Sequence, residues 1–310
     1  MAQQTYPIAL AHGIARFDFL TDSFKLKSQM LFGSIFDDII LHLGQHGIKV
    51  TKDRLHYFRG ILSHLEDNGF DVHHTRVSFA HGLETRANDL KNQINAVLAT
   101  TGSDKVHIIA HSMGGLDARH MIVRLDMAHK VASLTTIGTP HLGTSFADWK
   151  LARGGDQLIE VLGRVLDLAG FQDLTTTACR EFNDEAQRAE AANPVVYQTY
   201  ASAEEQPLIF APLQLPWAVI NEHEGANDGL VSLTSQSWQK ELAGDGGVKK
   251  SINQRSFPVA ADHLNQIGWW DLNELKKVEW WRPDKFNAVA QYERSIKNAY
   301  LEIARSLESV

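Results

Sequence analysis

Residues 105–120 read KVHIIAHSMGGLDARH, and this stretch constrains the fold more than any other part of the chain. Residues 105–110 are a short apolar run typical of a buried strand, whereas Leu116, Val123 and Met127 are spaced as one face of a helix. Only His-Ser-Met-Gly-Gly separates the two segments, so the chain must turn sharply from a strand into a helix. Strand–turn–helix units of this kind build parallel sheets covered by helices.

Strand-like and helix-like segments alternate through the first half of the chain, which predicts an α/β fold with a mainly parallel central sheet flanked by helices. Strands are predicted at residues 6–11, 71–79, 105–110, 131–138, 195–201 and 217–220. Residues 144–193 instead read as helical and charged, which predicts an insertion. We therefore expect one domain over residues 1–310, interrupted by an insertion at about 144–193, with a C-terminal helix at the end.

Composition excludes several classes of function. A net charge of -7 gives no electrostatic reason to bind nucleic acid, because neutralising phosphates needs a basic surface. The one cysteine, Cys179, allows no intrachain disulfide and no zinc site built from cysteine pairs. We find no transmembrane segment, no signal peptide and no sign of a protein partner, so the sequence predicts a cytoplasmic protein or a secreted mature domain without its leader.

Ser112 is the candidate nucleophile. A serine hydroxyl is a poor nucleophile at neutral pH, so it needs an exposed position on a strained turn and a neighbouring base. In a nucleophile elbow the serine lies between small residues, because the chain approaches itself closely at the corner. Ala110 and Gly114 meet that demand, although Ala110 replaces the first glycine of the usual G-x-S-x-G. The alternative is a serine that only caps the following helix.

Acyl transfer also needs N–H groups that stabilise the developing oxyanion. One usually follows the nucleophile and the other comes from the loop after an earlier strand, which predicts Met113 and Ile14 as the donors. Gly13 lets the loop that follows the first strand turn inward. An ordinary His-Gly turn at the end of that strand is the alternative.

A nucleophile elbow is typical of the α/β-hydrolase fold, in which the catalytic residues follow one another in the order serine, acid, histidine. We therefore expect both the acid and the histidine to follow Ser112 and the insertion. His223 and His263 are the histidines in that part of the chain, whereas His129 and His141 precede the insertion. His263 lies in the loop AADHLNQIGWW, which we expect near the last part of the sheet. His263 is therefore the candidate base.

Asp228 is the candidate acid, in the Gly/Asn-rich loop GANDGLV that follows the predicted strand WAVI. Glu222, Glu224 and Asp262 are rivals. An Asn-Asp-Gly string is commonly just a turn, so the residues alone leave the role of Asp228 open.

Four stretches, in the same order and across nearly the whole chain, resemble the bacterial true lipases of the Pseudomonas, Burkholderia and Proteus type. They are YPIALAHGIARFD, KVHIIAHSMGGLDARH, IGTPHLGTSFAD, and ANDGLV followed by DHLNQ. This resemblance implies an α/β-hydrolase fold and a triacylglycerol lipase that acts on acylglycerols or other fatty-acyl esters. It implies Ser112 as nucleophile, His263 as base, Asp228 as acid, and Ile14 with Met113 as the oxyanion donors.

The resemblance also implies a lid over the acyl pocket, formed by the amphipathic helix predicted around residues 158–169, which would open at a lipid–water interface. The alternative is a helix that stays packed. Many such lipases hold a structural calcium partly through an aspartate just after the catalytic histidine, but here that position is Asn265. Calcium prefers several carboxylate oxygens, so we expect no calcium and no other cofactor.

Three alternatives to a lipase are open from the sequence. A short-chain carboxylesterase and an acyltransferase would use the same three residues. A non-catalytic binding protein of the hydrolase fold would need none of them.

Overall fold

A six-stranded parallel sheet forms the centre of the fold, with strand order β2-β1-β3-β4-β5-β8. In the computed structural model, the described residues are 6–13, 53, 56–78, 81–153, 168–269 and 285–310, without the side chains of 168, 169 and 285–289. The sheet strands are β1 (Ile8–Ala11), β2 (Val72–His74), β3 (Val106–His111), β4 (Val131–Ile137), β5 (Val196–Ala201) and β8 (Asn253–Ser256). A separate antiparallel pair is formed by β6 (Glu241–Ala243) and β7 (Lys249–Ser251).

Helices connect these strands and cover the sheet. They are α1 (Ile61–Asp67), α2 (Leu83–Thr101), α3 (Met113–Arg124), α4 (Ser145–Arg153), α5 (Thr176–Ala192), α6 (Gln214–Glu224), α7 (Leu233–Ser237) and α8 (Lys285–Leu307). Helix α2 ends at Gly102, whose φ of 69° is the left-handed conformation that glycine adopts at helix ends. No helix in the described part of the chain has the length and apolar character needed to cross a membrane.

Alternate residues of each strand point to opposite faces of the sheet, and the apolar core is divided accordingly. Ile8 and Leu10 of β1 lie in one apolar cluster with Ile296 and Tyr300 of α8. Ala9 and Ala11 lie in the other cluster, which contains the buried face of α2. Both faces of the sheet are therefore covered, which explains why β1 (IALA) is a continuous apolar run rather than an alternating one.

The predicted α/β class is confirmed, but the last part of the sheet differs from the prediction. Residues 217–220 are not a strand; they lie within helix α6. The buried residues of that helix are Pro216, Val219 and Ile220, at helical spacing, and a four-residue apolar run does not distinguish a strand from a buried helical turn. The sixth strand is instead Asn253–Ser256, a polar segment at the sheet edge.

The insertion is helical where it is described. Helices α4 and α5 flank a short turn of 3-10 helix at Leu168–Leu174. The proposed lid helix at residues 158–169 lies almost wholly outside the described residues, because residues 154–167 are not described. The lid therefore stays a prediction.

Candidate active site

Ser112 sits at the corner between β3 and α3 with φ 57° and ψ -135°, a strained conformation for a residue with a side chain. It occupies the position just before α3, but its side chain makes no capping hydrogen bond. Capping therefore does not explain this serine. Strain of this kind at a strand-to-helix corner is the geometry of a nucleophile elbow, which exposes the hydroxyl at the end of the sheet.

Three positions around Ser112 need glycine, because neighbouring atoms leave no room there for a Cβ. A Cβ on Gly114 would lie 2.6 Å from the carbonyl oxygen of His12, and a Cβ on Gly13 would lie 2.7 Å from Cβ of Ser112. A Cβ on Gly115 would lie 2.2 Å from Oγ1 of Thr139. Both the helix and the loop after β1 are thereby pressed against the elbow. The methyl of Ala110, in contrast, is accommodated in β3, where the residue is fully buried.

The predicted oxyanion donors are placed in part. Met113 is the first residue of α3 and is buried beside Ser112, and the N–H groups of a first helical turn have no acceptor within the helix. Ile14 lies outside the described residues. Its neighbour Gly13 contacts the elbow, as above.

His12 holds the loop that precedes Ile14. Its Nε2 accepts a hydrogen bond from the N–H of Val77 at 3.1 Å, so its Nδ1 carries the proton and donates to the carbonyl of Gly13 at 2.8 Å. Burial lowers the pKa of His12 to about 4, so the ring stays neutral at physiological pH. A neutral His12 thus fixes the end of β1 next to Ser112.

Asp228 and His263 form a buried pair. Nδ1 of His263 lies 2.8 Å from Oδ2 of Asp228, and the side chains are 4% and 0% exposed. Because a carboxylate only accepts, Nδ1 carries the proton, and Nε2 of a neutral His263 is left as the proton acceptor. The structure thus brings together two residues that are 35 positions apart in sequence.

The carboxylate of Asp228 has further donors. Its Oδ1 accepts from the backbone N–H groups of Leu230 and Val231, at 3.0 and 2.8 Å. Its Oδ2 also accepts from Nε2 of Gln266 at 2.9 Å. The GANDGLV loop is therefore a turn, as the alternative interpretation held, and it uses that turn to orient a carboxylate toward His263.

The other candidates for the acid and the base are exposed or make other contacts. Glu222 and His223 are exposed on α6, and Glu224 accepts from the N–H of Ser145 and the hydroxyl of Ser232. His129 is exposed, and His141 is buried against the ring of Trp238 at 4.5 Å.

Asp262 is buried next to His263, but both its oxygens accept from the backbone. Oδ1 accepts from the N–H groups of Leu264 and Asn265, and Oδ2 accepts from that of Phe210. Burial raises the pKa of Asp262 to about 6, although these donors favour its charged form. Asp262 thus stabilises the loop that presents His263.

A cavity opens next to this pair. Ser112, His263 and Tyr57 line it together, and the rest of its wall is mainly apolar. The apolar lining residues are Pro140, Phe146, Phe171, Leu174, Leu230, Val231 and Leu264. A hydroxyl, an imidazole with a free nitrogen and an apolar wall meet here, which is what general-base attack on an acyl group with an apolar chain requires.

The sequence profile of the alpha/beta hydrolase fold family matches residues 45–307. The chain belongs to the α/β-hydrolase fold family. The match takes in Ser112, Asp228 and His263, and the parallel sheet with its elbow after β3 agrees with it.

Similar proteins carry the names of lipases and esterases. Triacylglycerol lipase 2 of Saccharomyces cerevisiae is 27% identical over 282 residues, which are 85% of this chain and 80% of the yeast protein. A triacylglycerol lipase of Pseudarthrobacter phenanthrenivorans is 39% identical over 114 residues, 36% of this chain and 35% of that protein. The crystal structure of a metagenomic carboxyl esterase matches with a TM-score of 0.61 and 16% identity, covering 98% of this chain and 76% of its own.

The family profile and the esterase structure confirm the fold class. The family and the yeast relative support the expected enzyme class, a carboxylic ester hydrolase. The match to the Pseudarthrobacter enzyme spans about a third of its length, so membership of the bacterial true lipases is a proposal.

Three residues of this α/β-hydrolase site were missed by the sequence analysis. They are Tyr57, His111 and Gln266. The hydroxyl oxygen of Tyr57 lies 2.7 Å from Nδ1 of His111, and Nε2 of His111 lies 3.0 Å from Oε1 of Gln266. Two of them adjoin predicted residues, since His111 directly precedes Ser112 and Gln266 stands three positions after His263. Their closeness in sequence to Ser112 and His263 is the one signal that could have identified them. For Tyr57, which is distant in sequence from the motifs, we find none.

The residues after His263 do not fit the structural calcium site found in many lipases of the type that the sequence resembles. The side-chain oxygen of Asn265 accepts from the N–H of Asp262 and from the hydroxyl of Tyr292, and its amide donates to the carbonyl of Trp269. Among the described residues, no group of three or more His, Cys, Asp or Glu side chains is placed to hold a metal.

Proposed function

We propose that this α/β-hydrolase is a serine-dependent carboxylic ester hydrolase, and more specifically a triacylglycerol lipase. One observation carries the proposal: His263, which is paired with the buried Asp228, and the strained Ser112 line a single apolar-walled cavity. No cofactor is part of the proposed chemistry.

In the proposed reaction, Nε2 of His263 takes the proton from Oγ of Ser112 as this oxygen attacks the acyl carbon. The N–H groups of Met113 and Ile14 stabilise the oxyanion, and Asp228 stabilises the imidazolium. His263 then gives the proton to the leaving alcohol, whose C–O bond breaks. Water, deprotonated by His263, attacks the acyl-enzyme and releases the fatty acid, and Ser112 recovers its proton.

The apolar wall supports a fatty-acyl substrate, because burying a hydrocarbon chain is favourable by roughly 0.8 kcal/mol for each CH₂ group. Phe171 and Leu174 come from the described part of the insertion, which is where the sequence places a lid. The name of the yeast relative, triacylglycerol lipase 2, supports the same substrate class. We propose that the enzyme acts on triacylglycerols at a lipid–water interface, beneath a lid at about residues 158–169.

The test of the enzyme class is Ser112→Ala, assayed on p-nitrophenyl esters and on emulsified triglyceride. We expect normal folding and a loss of kcat of about 10⁴-fold or more, since a nucleophile is removed. Ser133→Ala is the matched control, because Ser133 is also buried but lies in β4, where it contacts His107. Retained turnover in Ser112→Ala would overturn the proposal.

Two further measurements separate the alternatives. An acyl-length series, run below and above the solubility limit of each ester, distinguishes a lipase from a short-chain carboxylesterase. Adding an acceptor alcohol and measuring transesterification identifies an acyltransferase. A fluorophosphonate labels the serine of an enzyme, so failure of the wild-type protein to be labelled would indicate a non-catalytic binding protein.

A further inference from the structure

A line of hydrogen bonds leads from Tyr57, beside the loop after β1, to the Asp228 carboxylate. Its members are Tyr57, His111 and Gln266, joined at 2.7 and 3.0 Å, and its last bond joins Gln266 to Asp228 at 2.9 Å. His111 and Gln266 are fully buried. These side chains belong to separate parts of the chain, so a line of bonds between them is specific to the folded site.

The proton positions in this line follow from its acidic end. Oδ2 of Asp228 can only accept, so Nε2 of the Gln266 amide donates to it, and Oε1 of the same amide must accept. Nε2 of His111 therefore donates to Gln266. Every donor in the line thus points toward the carboxylate.

The other end of the line is determined by the protonation state of His111. Burial, and then the neighbouring His263, lower the pKa of His111 well below its usual value, so the ring is neutral. Its Nδ1 must accept, and the Tyr57 hydroxyl donates to it. The oxygen of Tyr57 in turn has the backbone N–H of Gly13 as a hydrogen-bond partner.

We propose that Tyr57, His111 and Gln266 are a positioning chain that holds the Asp228–His263 pair in register with Gly13 in the loop after β1. Gln266 shares Oδ2 of Asp228 with Nδ1 of His263, so it restricts rotation of the carboxylate that orients the imidazole. His111 restrains Gln266, and its ring centroid lies 4.5 Å from that of His263. None of the three donates to the oxyanion or exchanges a proton with the substrate.

Glycine at position 138 supports this assignment. Gly138 directly follows β4 with φ 61°, and a Cβ there would lie 2.2 Å from Oε1 of Gln266 and 3.3 Å from Oδ2 of Asp228. The backbone therefore leaves just enough space for the Gln266 amide beside the carboxylate.

This inference rests on the proposed function, and its test is Gln266→Met, which preserves the size of the side chain and removes both hydrogen bonds. We expect kcat to fall about tenfold or more with KM changed by less than about twofold, because misoriented catalytic groups slow the chemistry but leave substrate binding intact. Gln198→Met is the matched control: Gln198 is buried in β5 and donates to Thr135. That variant should lose thermal stability to a similar degree and keep its kcat.

A double-mutant cycle tests whether His111 acts through Gln266. His111→Phe should lower kcat in the same way, and His111→Phe combined with Gln266→Met should cost little more than the larger single loss. His107→Phe is its control, since His107 is buried in the same strand but contacts Ser133. Tyr57→Phe, which removes a single hydroxyl, serves if His111→Phe does not fold.

Two results would overturn the positioning chain: a kcat of folded Gln266→Met within about twofold of wild type, or fully multiplicative losses in the cycle. Failure of the proposed function has a different signature, because Ser112→Ala would then retain activity. If Ser112→Ala is inactive and Gln266→Met is fully active, the positioning role of Tyr57, His111 and Gln266 is rejected and the proposed function stands.

Discussion

His263 and Asp228 are joined twice, through their side chains and through their backbones. Nδ1 of His263 lies 2.8 Å from Oδ2 of Asp228, and the N–H of His263 donates to the carbonyl of Asp228, also at 2.8 Å. The two loops that carry these residues therefore cannot move apart without breaking both bonds. The orientation of the imidazole is thus built into the fold.

We expect Asp228→Asn to fold but to lose about 10³–10⁴-fold in kcat, as when an asparagine replaces the acid of a serine protease triad. The carboxylate accepts from four N–H groups, and an amide replaces one acceptor oxygen with a donor. Steady-state kinetics on a p-nitrophenyl ester measure the effect. Asp262→Asn is the control, since Asp262 is equally buried but accepts from the backbone; it should keep most of its kcat, and a loss as large as that of Asp228→Asn would contradict the assignment.

Much of the site could be predicted because its groups adjoin strong local signals. The elbow follows from an apolar strand, a run of small residues and an amphipathic helix, all within residues 105–127. The residues around Asp228 do not decide its role, because an Asn-Asp-Gly string also occurs in plain turns. Only the tertiary contact with His263 distinguishes the two interpretations.

What could not be predicted depends on contacts between distant segments. The strand Asn253–Ser256 is polar because it lies at the sheet edge, so no apolar pattern marks it. Residues 217–220 alone predict a strand because they are mainly apolar, whereas the buried residues of α6 follow a helical period over a longer segment. The bond between His111 and Gln266 spans 155 positions, a distance over which no local pattern can act.

Gly138→Ala should lower both activity and stability. Its φ of 61° disfavours a side chain, and the new methyl would also displace the Gln266 amide. Gly102→Ala is a matched control with φ 69° and no atom within 4 Å of the added Cβ. Thermal unfolding should show a loss of about 1 kcal/mol for Gly102→Ala, from backbone strain alone, and a greater loss for Gly138→Ala. Only Gly138→Ala should reduce kcat; equal kinetics in the two variants would argue against close packing at Gln266.

Stability should fall as the pH is lowered from 6.5 toward 4. Burial lowers the pKa of His107 from 6.5 to about 4 in the folded protein, so the unfolded chain binds more protons in that window. His107 alone should cost about 2 kcal/mol of unfolding free energy between pH 7 and pH 5. Urea unfolding at the two pH values measures this difference, and His107→Phe should reduce it. An unchanged difference in His107→Phe would mean that other groups cause the acid sensitivity, and His12 and His74, both with a pKa lowered to about 4, are the first to examine.

The ion pair between Arg119 and Glu190 should matter for stability far more than exposed pairs do. Both side chains are fully buried, Nε of Arg119 lies 2.7 Å from Oε1 of Glu190, and the guanidinium lies 3.8 Å from the ring centroid of Trp238. Arg119→Met would leave the carboxylate buried without its partner, which we expect to cost about 3–5 kcal/mol. Lys249→Met, in the exposed pair with Glu241, should leave the free energy of unfolding almost unchanged, because water and salt screen that pair.

A third variant, Arg119→Met/Glu190→Leu, removes both members of the buried pair. Comparing the three variants by urea denaturation separates the attraction between Arg119 and Glu190 from the cost of leaving Glu190 unpaired. Removing both members leaves no buried charge, so the double variant should recover much of the stability that Arg119→Met loses. If the double variant is instead as unstable as Arg119→Met, the loss comes from the packing of Arg119 against Trp238 and Phe182 rather than from the charge.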